Sequence, residues 1–174
     1  ERVVAKVLLG LAPISIALLQ VAAPRAAATF VLRGTLIQLA LFAYALAVYL
    51  ALRRGRYHAA LPFVATVVEI SMLFAMEAAA LGAVPRQAPP RFPGLVLVGA
   101  YLVFSAIRAD PRVCLLSAAI AVSEWFALWL VAEERLPPDE AAVMGHRGGA
   151  LIAVFLALAG IAGAVLARHF IDRA

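Results

Sequence analysis

The stretch "AALPFVATVVEISMLFAMEAAALGA", residues 59–83, decides the fold class of this protein. A helix that crosses a bilayer needs about 20 mostly apolar residues, because each residue adds about 1.5 Å and the hydrocarbon core is about 30 Å thick. The stretch is long enough, yet it contains two glutamates, Glu69 and Glu77. A carboxylate in hydrocarbon is strongly disfavoured unless it is paired, protonated or hydrated. These two acids are therefore the first candidates for a functional site.

The rest of the chain has the composition of an integral membrane protein. Of its 174 residues, 66% are hydrophobic and only 14% are charged, whereas about a quarter of the residues of a soluble domain are charged. The net charge of +5 comes mainly from Lys and Arg in short loops, where they set membrane topology, so it does not indicate a nucleic-acid partner. The single cysteine, Cys114, excludes an internal disulfide.

Apolar segments of membrane-spanning length predict an all-α integral membrane protein, a bundle of six transmembrane helices. Proline and glycine punctuate nearly all of the connections, as they do at helix ends. The longest connection is predicted at 133–149, and the fourth span is short. The six predicted spans lie at about 4–23, 31–52, 59–83, 93–107, 113–132 and 149–167.

The distribution of Lys and Arg predicts that both termini are cytoplasmic. Short cytoplasmic loops carry an excess of these residues. With the N-terminus inside, nine of the fifteen Lys and Arg fall on the inner side and six on the outer side. We therefore expect a multi-pass protein of a bacterial inner (plasma) membrane. The inner set is Arg2, Lys6, Arg53, Arg54, Arg56, Arg108, Arg112, Arg168 and Arg173, and the outer set is Arg25, Arg33, Arg86, Arg91, Arg135 and Arg147.

Two of the intramembrane acids are predicted at similar depth. Glu69 lies ten residues into the third span, about 15 Å from its start, and Glu124 lies eleven residues into the fifth. Glu77 is predicted near the outer surface. All Lys and Arg lie at or near span ends, so the sequence supplies no basic partner inside the spans for Glu69 or Glu124.

Several states of these acids are open at the level of sequence. Each could be protonated, the pair could share a proton or bind a cation, or each could be hydrogen-bonded to Ser71, Thr66, Ser123 or a tyrosine hydroxyl. The structural alternative is that the acids only fix helix packing. The functional alternative is a site responsive to a cation, a proton or another ligand. Its candidate ligands for a divalent cation are Glu69, Glu124 and Glu77.

Two other polar groupings are better explained without a ligand. Met72 and Met76 follow Glu69 on roughly the same helix face, where methionine usually serves packing rather than soft-metal binding. The acidic residues of the 133–149 connection lack the ordered spacing of a calcium loop, so we expect a solvated loop there. No motif of a soluble enzyme is present, and no catalytic residue is predicted.

A stripe of small residues runs along the last span, at spacings of four, three, four and three. Small residues let two helices approach closely. The stripe predicts either packing against a neighbouring helix or an interface with a second copy of the chain, as in a homodimer. Its members are Ala153, Ala157, Gly160, Ala164 and Ala167.

The segment "YLVFSAIRADPRVCLLSAAIAVSEWFALWL", residues 101–130, resembles the six-span membrane domain of bacterial class III adenylate/guanylate cyclases. The resemblance covers about 30 residues and depends on a short set of positions. In that family the membrane domain is an anchor and receptor, and a cytosolic dimer performs catalysis. The matching positions are Asp110, Pro111, Arg112, Cys114, Glu124 and Trp125.

These patterns favour a membrane anchor or receptor module of a signalling enzyme, with an adenylate cyclase implied by the resemblance. The last span runs on into "ARHFIDRA" without Gly or Pro, so we expect it to continue toward a cytosolic domain. Such a module would dimerise, sense a small ligand or cation through its carboxylates, and carry no cofactor of its own. The alternatives are a small proton- or cation-coupled transporter, the input domain of a sensor kinase, and an anchor without a ligand.

Overall fold

The computed structural model is all-helical over the residues that it describes, which are 1–22, 28–83, 98–99, 101–103, 105–108, 110–134 and 138–173. Five α-helices and one 3₁₀ turn account for most of them. In chain order these are α1 (Arg2–Ala22), α2 (Ala28–Arg53), α3 (Leu61–Ala83), the 3₁₀ turn Ser105–Arg108, α4 (Pro111–Glu133) and α5 (Pro138–Ile171).

Four of these helices are long and apolar enough to cross a membrane. The qualifying stretches lie within α2, α3, α4 and α5, and they agree closely with the second, third, fifth and sixth predicted spans. The first predicted span corresponds to α1, whose place in the membrane stays a prediction. About half of the predicted fourth span, 93–107, lies outside the described residues, and its last three residues belong to the 3₁₀ turn. The four stretches are Val31–Arg53, Leu61–Ala79, Pro111–Glu133 and Arg147–Ile171.

The loop predicted at 133–149 is wrong over most of its length. Helix α5 is 34 residues long and begins at Pro138. Proline suits the first helical position because its φ is already set and because the N–H that it lacks would be unpaired there. Asp139 and Glu140 follow in the first turn, where negative charge is favoured by the helix dipole. The polar character of this stretch predicted a loop, whereas Pro138, Asp139 and Glu140 are typical of a helix start.

Helices α4 and α5 form an antiparallel hairpin at the centre of the bundle. Trp125 and Trp129 on α4 face the early part of α5, where the indole N–H of Trp125 donates to the carbonyl of Gly149 at 2.8 Å. The two indole rings lie 5.4 Å apart between centroids, which is the range of favourable aromatic pairing. This pair forms the middle of the largest buried cluster, together with Ile70 and Phe74 of α3.

One end of the bundle collects the starts of α1, α3 and α4 and the ends of α2 and α5. Arg2 donates to the carbonyl of Leu52 at 2.8 Å, which brings the start of α1 to the end of α2. Ala167 near the end of α5 clusters with Cys114 near the start of α4. Because most of the Lys and Arg predicted to be cytoplasmic belong to these helix ends, we call this the basic end.

Helix α2 ends at the basic end in a Schellman motif. The amide of Gly55 donates to the carbonyl of Leu52 at 3.2 Å, and the amide of Arg56 donates to that of Ala51 at 3.0 Å. Gly55 has φ +75°, the left-handed conformation that closes this motif. The arrangement satisfies carbonyls that the last turn of a helix leaves without partners.

Gly55→Ala should lower the free energy of unfolding by about 1 kcal/mol, because a Cβ disfavours the left-handed conformation. Gly10→Ala is the matched control. Neither position has an atom within 4 Å of an added methyl group, but only Gly55 has positive φ. Gly10 lies inside α1, so its replacement should be neutral or stabilising. Thermal unfolding in detergent, followed by tryptophan fluorescence, compares the two variants, and equal effects would contradict the role of Gly55.

Candidate functional site

A buried arginine occupies the interior of the basic end. Arg108 is the last residue of the 3₁₀ turn, and its side chain is only 1% exposed. A buried guanidinium requires partners for its N–H groups and its charge. Arg108 finds them on three parts of the chain: α1, α3 and the segment that leads into α4.

Four side chains surround this guanidinium. Its Nη2 donates to Glu69 at 2.7 Å, and its Nε donates to Glu1 at 2.7 Å. Its Nη1 donates to Thr66 at 3.0 Å and to the hydroxyl of Tyr101 at 2.7 Å. We call these five residues the Arg108 network. The planar fork of arginine suits several fixed acceptors at once, which the point charge of a lysine would not reproduce.

Tyr101 closes the network on one side. Its hydroxyl donates to Glu69, and the guanidinium carbon of Arg108 lies 5.9 Å from the centre of its ring, within the range of a cation–π contact. Tyr101 precedes Arg108 by seven residues, and both side chains reach Glu69 on α3. Glu69 therefore receives two hydrogen bonds, one from a charged donor and one from a hydroxyl.

The charge of Arg108 is maintained by its surroundings. Burial lowers the pKa of its guanidinium, but the oxygens of Tyr101 and Glu69 outweigh burial and raise the pKa above its ordinary value. The site therefore holds a permanent cation at physiological pH. Two carboxylates face that cation, Glu69 with a side chain 5% exposed and Glu1 with one 7% exposed.

The expectation that Glu69 has no basic partner inside the spans did not anticipate Arg108, which lies one residue beyond the fourth predicted span. Arg108 was assigned to the end of the fourth predicted span and interpreted as a topology signal, but its side chain turns inward to reach Glu69. The hydrogen-bonding alternative was correct for a tyrosine hydroxyl, since Tyr101 donates to Glu69, whereas Thr66 accepts from Arg108 instead. The signal in the sequence was an aromatic hydroxyl and a cation, Tyr101 and Arg108, only seven residues apart before α4.

Glu124 belongs to a different contact. Its Oε1 accepts from the hydroxyl of Ser71 on α3. Ser71 and Glu69 are two positions apart, about 200° around the helix, so their side chains leave α3 in nearly opposite directions. The structure thus gives each of the two predicted midplane acids its own partner, and the acids do not bond to each other. Glu124 keeps one buried oxygen, Oε2, that has no hydrogen-bond partner.

Glu77 is buried between helices. Ile70, Phe74 and Glu77 share one face of α3, and the first two belong to the main buried cluster. Glu77 is only 5% exposed, and its Oε2 is buried without a hydrogen-bond partner. Its burial is lateral, between helices, and its predicted depth near the outer surface stays a prediction.

A cation site made of Glu69, Glu124 and Glu77 stays a prediction. Within the described residues, no group of three or more His, Cys, Asp or Glu side chains is close enough to hold a metal ion. Glu69 already faces a permanent cation, and Glu124 is bonded to Ser71. The side chains of Asp139, Glu140, Met144 and His146 lie outside the described part of the chain.

The stripe of small residues on α5 packs within the chain. A methyl group on Gly160 would overlap the methyl group of Ala118 and lie 3.3 Å from its Cα, and one on Gly163 would lie 2.9 Å from the carbonyl oxygen of Leu102. Ala153, Ala164 and Ala167 are buried. The packing alternative therefore holds for most of the stripe, although Ala157 is only partly buried. The dimer interface predicted at Ala153, Ala157, Gly160, Ala164 and Ala167 stays a prediction.

The residues that carry the resemblance to cyclase membrane domains all have local structural roles. Asp110 is the N-cap of α4, where its carboxylate accepts from the amide of Arg112 at 2.8 Å, and Pro111 follows at the first helical position. Cys114 is buried against α5. Any helix that starts sharply after a turn can use the same Asp-Pro start.

Comparison with known proteins adds no relative. No protein-family model matches the chain, and no curated protein or solved structure matches it either. The candidate site therefore has to be judged from its own geometry.

Proposed function

We propose that the chain is the membrane input module of a signalling enzyme, and that the Arg108 network is the part that changes state. The observation that carries this proposal is the position of the network. It joins α1, α3 and the segment before α4 at the basic end, where α5 also finishes. Glu69 is a buried ionisable group inside a predicted span, and such a group is a candidate for function by default.

Residues next to Arg108 and Tyr101 in the chain pack against α5. Ala106, two residues before Arg108, clusters with Ala164 and Ala167 of α5. The carbonyl of Leu102, next to Tyr101, lies against Gly163. A shift of the segment that carries Tyr101 and Arg108 would therefore move against the final turns of α5. Close packing favours a switch between discrete arrangements over gradual deformation.

The proposed topology has six spans in a bacterial inner membrane, with the basic end in the cytoplasm. An excess of Lys and Arg on one side supports this orientation. The output would be a cytosolic catalytic dimer reached through α5, and a nucleotide cyclase is the class suggested by the resemblance at 101–130. Because most of the small-residue stripe is buried, the exposed face of α5 is the better candidate for the interface of a homodimer. The outward side chains of α5, among them Leu151, Val154 and Leu158, are more than half exposed.

A ligand can drive such a module only if it binds the two arrangements with different affinity. In the full-length protein, Arg108→Gln should change the basal activity of the cytosolic domain, or its response to ligand, at equal membrane content. Arg112→Gln, an exposed arginine four residues away, should leave both unchanged. A reading frame that carries no catalytic or kinase domain after Ala174, or an Arg108→Gln enzyme that responds like wild type, would contradict the proposal.

A small proton- or cation-coupled transporter is the second candidate. The observation that favours it is the pair of buried carboxylate oxygens without partners, Oε2 of Glu77 and Oε2 of Glu124. The purified chain in proteoliposomes with an internal pH-sensitive dye tests it. Proton flux that is lost in Glu77→Gln or Glu124→Gln would support transport, and a wild-type flux equal to that of empty liposomes would exclude proton coupling.

A further inference from the structure

An open pocket lies between the start of α1 and the end of α2. Its volume is about 480 Å³, and its lining combines apolar and polar side chains: Glu1, Arg2, Val3, Leu52, Gly55 and Tyr57. The pocket is separate from the contacts made by Glu77 and Glu124. It touches the Arg108 network only through Glu1.

The wall formed by the α2 terminus is fixed in shape. The Schellman motif uses the amides of Gly55 and Arg56, so the backbone of this turn is held in one conformation. Arg2 donates one N–H to the carbonyl of Leu52 at 2.8 Å. A guanidinium has five N–H donors, so Arg2 is held in place and still has donors to offer to a bound anion.

The charge around the pocket is positive. Arg53, Arg54 and Arg56 flank the turn, and all three side chains are exposed. Lys6 lies one helical turn beyond Arg2 on α1 and is also exposed. The acid in the lining, Glu1, is paired with Arg108 at 2.7 Å, so its charge is partly compensated by a guanidinium that it shares with Glu69.

The pocket lies at the depth of lipid headgroups. The membrane-spanning stretch of α2 ends at Arg53, and the pocket-lining residues Gly55 and Tyr57 follow at once. Tyrosine and arginine are common at this interface, where one part of the side chain meets apolar material and the other meets water. Basic residues next to a span attract the headgroups of anionic lipids.

We propose that this pocket binds the phosphate of an anionic glycerophospholipid from the adjoining leaflet. Arg2 supplies N–H donors from the lining of the pocket, and the exposed Arg54 and Arg56 beside the turn add the positive charge that attracts a phosphodiester. Val3, Leu52 and Tyr57 provide an apolar wall for the glycerol and the first carbons of the acyl chains. The proposal concerns binding alone and does not depend on the signalling function proposed above.

The test measures binding of phosphatidylglycerol to the purified chain in neutral detergent by native mass spectrometry, together with the thermal shift it produces. Wild type should bind phosphatidylglycerol in preference to phosphatidylcholine. Arg54→Gln/Arg56→Gln should bind it about thirtyfold more weakly, the effect of removing two basic residues at a headgroup surface. Both positions are exposed and outside the helix core, so the variant should still fold, which its thermal unfolding without lipid verifies.

Arg112→Gln/Arg168→Gln is the control, since it removes two exposed arginines from other helices at the same end. It should keep near wild-type binding. Equal losses in the two double variants would show general attraction to a basic surface and would overturn the pocket. A thermal shift with inorganic phosphate equal to that with phosphatidylglycerol would overturn the choice of a lipid.

Discussion

Replacement of Arg108 by glutamine should lower the free energy of unfolding by about 3–5 kcal/mol. This is the usual effect of removing one partner of a buried ion pair, because the remaining charge is left without compensation. Here the charge left behind is Glu69, with Glu1 beside it, and both side chains are almost fully buried. Thermal or denaturant unfolding in detergent, followed by the fluorescence of Trp125 and Trp129, would measure the change.

Two further variants separate the ion pair from simple loss of packing. Arg108→Leu/Glu69→Leu removes this pair and leaves Glu1 without its partner, so it should recover part of the stability lost in Arg108→Gln, since apolar replacement of a buried pair is often neutral. Arg112→Gln should have an effect within about 0.5 kcal/mol, as expected for an exposed position. A double variant as unstable as the sum of the singles would show that the pair contributes no coupling.

Replacement of Gly160 by alanine should separate α4 from α5, at an expected loss of about 1–3 kcal/mol for an overpacked core position. The added methyl group would overlap the side chain of Ala118 and lie 3.4 Å from the carbonyl oxygen of Cys114. The backbone cannot yield as the end of a flexible side chain would. Unfolding in detergent measures this loss, and Gly10→Ala controls for the general effect of alanine in a helix.

Exchange of the two small residues provides the sharper test. Ala118→Gly/Gly160→Ala moves one methyl group from α4 to α5 and keeps the total volume. It should restore much of the stability lost in Gly160→Ala, although the glycine in α4 retains its helix-propensity penalty of about 1 kcal/mol. If Gly160→Ala instead changes the oligomeric state at unchanged stability, the stripe is a subunit interface and its assignment to internal packing is wrong.

The four helices that are long and apolar enough to cross a membrane were predictable because hydropathy is summed over many residues. A window of about 20 apolar residues tolerates several errors, and lipid imposes helical structure on any such segment. The start of α5 was missed for the opposite reason. Pro138, Asp139 and Glu140 are a short helix-start signal within a polar stretch that hydropathy alone assigns to a loop.

The sequence predicted Glu69 as a site residue but did not predict its partner, Arg108. The free-energy cost of a carboxylate in an apolar segment pointed to Glu69, and its position in the sequence was enough to show this. Its partner could not be found in the same way, since the positive-inside rule accounts for Arg108 without any contact. The rule concerns the statistics of loops, whereas the direction of a single long side chain depends on which neighbours surround it. Only the packing of α1, α3 and the segment before α4 settles that direction.

The Arg108 network also bears on how the chain is inserted during synthesis. Arginine next to a short apolar segment opposes entry into the bilayer, and the insertion machinery receives the segments in order from the N-terminus. The acids that meet Arg108, Glu1 and Glu69, both precede it in the chain. When Arg108 leaves the ribosome, its counter-charges are therefore already made. The lateral entry of this segment should then depend on α3 having been inserted first.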